Sequence, residues 1–182
     1  SGLLSGLRLI ALTRNLPGPF STRMLADLGA DLLKVEPPEG DPARALGSLF
    51  DKLNHGKTCR HIDFRQADDL AQLRDWLSTA DVMVDSFRPG VLAAMGLDAA
   101  TLHARNPRLV MVSITGYGQS GPWANKAGHD LNFMALSGAL DQMRAPEGTL
   151  AQSNVQWGDL AGGSAMATIA ILAAVFAAQR TG

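Results

Sequence analysis

The sequence predicts an α/β protein built on a parallel, doubly wound sheet. Two observations carry this: apolar runs of strand length alternate with segments of helical period, and the stretches between the runs are long enough for right-handed β-α-β crossovers. A third observation, a change of pattern after Thr115, marks where the sheet ends and a helical segment begins. Leu7 to Thr13 reads as a buried strand. Phe20 to Leu28 carries apolar residues at helical spacing and stops at Gly29, a natural C-cap, before Asp31 to Glu36 returns as a second strand. The pattern repeats with a strand at Cys59 to Phe64, a helix at Ala67 to Leu77, and strands at Asp81 to Val84 and Leu109 to Ile114. Gly116, Gly118, Gly121 and Pro122 then mark a loop, and a boundary is expected near Lys126. The sheet part is thus 1–126 and the helical segment 127–182. Within that segment a helix is expected around His129 to Leu140, a polar loop at Asp141 to Asn154, and a helix at about Asp159 to Gln179. Leu160 to Ala178 holds no charge and has the length of a membrane span, but its many alanines and two glycines make it weakly hydrophobic, so a buried core helix is expected.

Composition narrows the function classes. A chain of 182 residues with 46% hydrophobic and 18% charged side chains is that of a folded globular protein. Sixteen Lys plus Arg against 17 Asp plus Glu, net charge -1, speak against a nucleic-acid partner or a polybasic membrane anchor. The single cysteine, Cys59, excludes an intramolecular disulfide and a cysteine-based zinc cluster, which fits a cytoplasmic setting with no metal site. No signal peptide opens the chain, and Ser1-Gly2, without Met, reads as a remnant of protease cleavage. The chain stops at Gly182 directly after the long apolar run, with no polar tail.

In open α/β sheets ligands gather at the carboxyl ends of the strands, so the loops after Thr13, Glu36, Val84 and Ile114 come first. Thr13 to Pro19 has one glycine between two prolines, which is not the G-x-G-x-x-G fingerprint and disfavours NAD. Its helix start offers N–H groups that could meet a phosphate, or a purely structural turn. The loop Glu36 to Arg44 is too proline-rich for a helix and long enough to bind a ligand. Asn54-His55-Gly56-Lys57 and Phe87-Arg88-Pro89-Gly90 each set a cation beside a glycine, a combination suited to phosphate and equally to a solvated surface. The sharper pair lies later. Gly128-His129-Asp130 precedes one helix, and Gly158-Asp159 with Gly162-Gly163 opens another. An Asp in a first helical turn is commonly a cap and a lone His commonly structural. Here, however, both stand among glycines in apolar sequence: Asp159 can serve as nucleophile or base, and His129 can give or take a proton.

These residues together resemble the class III (family III) CoA-transferases, the superfamily that includes alpha-methylacyl-CoA racemase. The resemblance runs over essentially the whole chain. It rests on Pro17-Gly-Pro19, Leu28-Gly-Ala-Asp-Leu-Leu-Lys-Val-Glu-Pro-Pro38, Asn54-His-Gly-Lys57, Asp85-Ser-Phe-Arg-Pro-Gly90, Ser113-Ile-Thr-Gly-Tyr-Gly118, Gly128-His-Asp-Leu-Asn132 and Gly158-Asp-Leu-Ala-Gly-Gly163. It implies a Rossmann-like sheet with flanking helices, followed by a helical catalytic segment, incomplete relative to the full family fold and truncated before the small domain. Coenzyme A, carried as acyl-CoA, is the implied ligand, and a carboxylic acid the implied acceptor. The residues implied to bind it are Asn15, Glu36, Lys57, Phe87, Arg88, Asp130, Gly162 and Gly163, with Asp159 and His129 catalytic. In transfer, Asp159 attacks the thioester and carries the CoA as an aspartyl intermediate; in racemisation, Asp159 and His129 move the α-proton of a 2-methylacyl-CoA. The Gly-His-Asp triplet resembles the racemase branch, whereas Gln156-Trp157, and His55 in place of an arginine, depart from the pattern. A CoA-binding module without turnover is the alternative. Family members are homodimers, and the same is expected here.

Overall fold

The computed structural model describes residues 2–181. Five parallel strands form one sheet: β1 (Arg8–Leu12), β2 (Asp31–Glu36), β3 (Thr58–His61), β4 (Val82–Asp85) and β5 (Val110–Ser113). Their order is β3-β2-β1-β4-β5, that of the first five strands of a doubly wound sheet. The order reverses beside β1, where Ile10 is flanked by Leu33 on one side and Met83 on the other. Strand alternation divides the apolar residues between two faces. Ile10, Leu12, Val35, Leu73, Leu77 and Met83 pack on one face, beneath α3 (Ala67–Leu77). Leu9, Ala11, Leu25, Leu32, Val82 and Ile171 pack on the other, beneath α1 (Pro17–Asp27) and the last helix of the chain. A parallel sheet covered on both faces is what near-continuous apolar strands require.

Three short helices escape the sequence reading: α2 (Ser48–Asn54), α4 (Val91–Ala94) and α5 (Ala99–His103). They are too short to show a period. A 3-10 turn at Pro42–Leu46 also corrects the view that the proline-rich loop holds no helix. Pro42 sits at its first position, where no N–H is needed, and the Asp41 carboxylate accepts from the Ala43 N–H at 2.9 Å. β3 ends at His61, earlier than expected, and Ile62 follows it with its N–H donated to the Glu36 carbonyl.

The helical segment departs further. α6 (Asp130–Leu136) ends at Ser137-Gly138, where Gly138 takes φ 79, so the helix is shorter than expected. The final helix is not uniform: Gly158–Ala165 is a π-helical stretch, and only Met166–Thr181, α7, is α-helical. Nor is it a buried core helix. Ala167, Thr168 and Ile171 are buried on one face, whereas Met166, Ile169 and Phe176 are 56%, 58% and 62% exposed. Gly158–Thr181 is long and apolar enough to cross a membrane, by length and composition.

Candidate functional site

Two cavities open at the carboxyl edge of the sheet, beside the point where strand order reverses. The smaller, about 200 Å³, lies over the ends of β1, β2 and β4 and is lined by Thr13, Glu36, Gly40, Phe64 and Phe87. The larger, about 650 Å³, runs from the β1–α1 turn across Arg88 and Ile114 to His129, Asp159 and Gly162. Arg14 and Ser86 line both, so the two lie side by side along this edge and share a wall.

The smaller cavity rests on a buried ionic frame that the sequence did not reveal. Lys34, on β2, is wholly buried and donates to the Asp41 carboxylate at 2.8 Å and to the Thr13 carbonyl at 2.7 Å. Asp41 also accepts from the Asn15 N–H at 3.2 Å, which ties the β1–α1 turn to the β2 loop. Asn15 is held at φ 64, a left-handed conformation that asparagine tolerates better than most residues. Its side chain faces the larger cavity. Beside this pair, Glu36 accepts from Arg44 Nε and a terminal nitrogen, both at 2.8 Å, and from the Asp41 N–H at 2.9 Å. Burial works against the Glu36 charge, but Arg44, the Asp41 amide and Lys34 outweigh it and hold its carboxyl below the usual range. Phe87, edge-on to Phe64 with centroids 5.7 Å apart, supplies an aromatic wall.

Lys57 stands apart. It lines neither cavity; its ammonium donates to the Pro19 carbonyl at 2.7 Å, Thr22 Oγ1 at 2.9 Å and Asn54 Oδ1 at 3.0 Å, tying α2 to α1. Burial first, and the Lys34 charge second, push its pKa down to about 7. The α1 N-terminus also offers less than the sequence suggested. Two of its first three residues are proline, leaving the Gly18 N–H as the only amide donor there.

At the far end of the larger cavity the structure brings together His129, Asp130, Asp159, Gly162 and Gly163. His129 precedes α6 and is exposed, with its N–H donated to Asn132 Oδ1 at 3.0 Å. Asp130 Oδ1 accepts from the Asp159 N–H at 2.8 Å, so the first turn of α6 fixes the start of the π-helical stretch. This contact needs Gly158, because a Cβ there would stand 3.0 Å from Asp130 Oδ1. Gly163 approaches α1 equally closely, its Cβ position 3.2 Å from Pro17 Cβ. Gly162 and Gly163 lie mid-way along the stretch, where i→i+5 bonding draws N–H groups into the helix, so they give the cleft a floor without side chains rather than free donors. Asp159 is half-buried; burial chiefly, and then the neighbouring Asp130 charge, raise its pKa, while His129 pulls the other way. A carboxylate made more basic in this way suits proton abstraction and attack on an electrophilic carbon. Among the described residues no group of three His, Cys, Asp or Glu side chains is placed to hold a metal ion.

Comparison with known proteins fits this geometry. The family model described as CoA-transferase family III matches residues 4–182. A succinate–glutarate CoA-transferase of Agrobacterium fabrum is 38% identical over 194 residues, covering 98% of this chain and 48% of the relative. Human alpha-methylacyl-CoA racemase is 37% identical over 182 residues, covering 98% and 45%. The crystal structure of a CAIB/BAIF family protein from Brucella suis superposes with a TM-score of 0.93 at 35% identity, over 100% of this chain and 51% of that one. The chain therefore spans about half the length of the relatives it matches. With the whole of its sheet and the Asp159 cleft inside that match, the chain belongs to CoA-transferase family III.

Proposed function

We propose that this chain handles acyl-CoA thioesters, binding the CoA along the carboxyl edge of the sheet and presenting its thioester to Asp159. The observation that carries the reading is the adjacency of two cavities on the carboxyl edge, an aromatic-walled pocket beside a cleft that ends at a half-buried carboxylate. Phe64 and Phe87 suit a flat base. Arg14 and Arg88, both exposed, offer charge to phosphates, and Asn15 offers an amide at the turn between them and the cleft. In this reading Glu36 orders the Arg44 loop, and Lys57 braces the wall of the site by holding α2 against α1. The family's homodimeric, cytoplasmic state is part of the proposal.

Two reactions use the same carboxylate. In CoA transfer, the Asp159 oxygen attacks the thioester carbonyl, the C–S bond breaks, and the thiolate leaves a mixed anhydride. The thiolate then attacks the aspartyl carbonyl, releasing the first acid and leaving an aspartyl-CoA thioester for the acceptor carboxylate to take over. In racemisation, Asp159 or His129 withdraws the proton α to the thioester carbonyl and the other returns a proton to the opposite face. The placement of His129 on the same cleft as Asp159 favours including the second.

Incubation with a 2-methylacyl-CoA in deuterated water, with and without a free acid, separates the variants. Asp159→Asn is expected to lower both α-exchange and transfer by at least about 1,000-fold. Loss of exchange but not transfer in His129→Ala assigns the racemase chemistry to that pair. An Asp159→Asn chain that keeps its rate defeats the reading. CoA binding with neither exchange nor transfer in the unaltered chain selects the binding module.

A further inference from the structure

The π-helical stretch poses a physical question, because a 3.6-residue turn is the lower-energy choice and π turns persist only where something holds them. The chain here has no proline to force one: Gly158 to Ala165 reads Gly-Asp-Leu-Ala-Gly-Gly-Ser-Ala. Two anchors are visible. At the start, the Asp159 N–H is held by Asp130. At the end, the wholly buried hydroxyl of Ser164 lies 2.7 Å from the Pro17 carbonyl and 3.1 Å from the carbonyl of Asp159 itself. Its single proton is shared between the two oxygens, and the second acceptor is five residues back, the i→i+5 distance that defines the π turn.

We infer that Ser164 is a positioning residue for Asp159: its hydroxyl clips the Gly158–Ala165 stretch into the wide π register against α1, and that register sets where the Asp159 carboxylate points. The proposal rests on the reading of Asp159 as the reacting carboxylate. Three further contacts support it. One turn on, Thr168 Oγ1 donates to the Ser164 carbonyl at 2.9 Å and lies 2.9 Å from Ser21 Oγ, so Pro17 with Ser164 and Ser21 with Thr168 form a buried polar seam between the two helices. Gly163 lets α1 come close enough for this seam to close. The Pro17 carbonyl belongs to the turn that carries Asn15, and both Pro17 and Asn15 line the larger cavity, so the clip ties the reacting end of that cavity to its binding end. Without the hydroxyl, the stretch keeps the Asp130 anchor at its start and loses, among the described residues, its only side-chain contact that spans the i→i+5 distance. Returning to an α register turns each residue before Ser164 by about 100° relative to the anchor, which moves Asp159 off its contact with Asp130 and toward solvent.

The deciding experiment is a carbon-13 NMR titration of the aspartate carboxyls in the unaltered chain and in Ser164→Ala, with backbone carbonyl shifts across 158–165 read from the same samples. In the unaltered chain Asp159 titrates above the ordinary aspartate range, because burial and Asp130 both oppose its charge. In Ser164→Ala it falls toward that range and the backbone shifts report an α register. Ser164→Cys, which keeps the size and a weak donor, guards against an alanine variant that fails to fold and is expected to shift in the same direction by less. Ser164→Thr, which restores the hydroxyl, returns the titration to that of the unaltered chain. An unchanged Asp159 titration and an unchanged π register in both Ser164→Ala and Ser164→Cys overturn the proposal. Turnover retained by Asp159→Asn defeats only the functional reading, since the titration needs no turnover.

Discussion

The sheet and the helical segment solve the burial problem differently. Residues of β1 and β4 are covered on both faces by helices of the same chain, and even a lysine, Lys34, is enclosed there with a matched partner. In the segment beyond Lys126, α7 is covered on one face by β5 and α1 and leaves Met166, Ile169 and Phe176 outward. Yet the carboxylate proposed to react, Asp159, sits on the second region. A platform closed on both faces and a segment less fully packed share the proposed site, and the Ser164 contact with Pro17 is where the two meet.

The contrast can be broken first at its strongest point. Asp41→Ala removes the partner of the buried Lys34, leaving an uncompensated charge, and is expected to cost about 3–5 kcal/mol in urea unfolding. A loss below about 1 kcal/mol would mean that water reaches Lys34 and that the frame is not closed. Next, Leu73→Ala in α3, wholly buried against the sheet, is expected to cost about 2–5 kcal/mol.

The next effect is set by pH. Lys57 has a folded pKa near 7, below the unfolded value of about 10.4, so between these the unfolded chain binds the proton that the folded chain has released. Its contribution to stability therefore rises with pH from about 7 to 10, by at most about 1.4 kcal/mol per pH unit. Lys57→Met is expected to flatten the profile of urea midpoints over that window; an unaltered slope would show that Lys57 stays charged in the fold. Smallest of all, Ile169→Ala on the outward face of α7 is expected to change stability by no more than about 0.5 kcal/mol. A cost near that of Leu73→Ala would mean that the face is covered in solution, and the two regions would then differ less than they do here.

The sheet was legible because its strands are uninterrupted apolar runs: Leu9 to Leu12 and Val82 to Val84 leave no room for another reading. Asp159 and His129 were legible as candidates because each stands among glycines, and the fold brings them to one cleft. What was not legible depends on contacts between distant residues. The Lys34–Asp41 pair is seven residues apart and looks like two surface charges until β2 buries one of them. The π register depends on Pro17, 147 residues before Ser164, and no local pattern announces it. Lys57 shows the opposite failure, since a Gly-Lys pair suited to phosphate turns its ammonium inward to three oxygens.

The enclosed lysines have a chemical corollary. Thioesters acylate free amines without help, so under the proposed function the protein would be exposed to its own substrate. Of the four lysines in the sequence, Lys34 is closed off from solvent and Lys57 is turned inward to three protein oxygens, whereas Lys52 and Lys126 are exposed. The remaining positive charge is carried by guanidinium groups, which stay protonated and are poor nucleophiles. Under the proposed function, this arrangement puts no lysine in the lining of either cavity, where the thioester would lie.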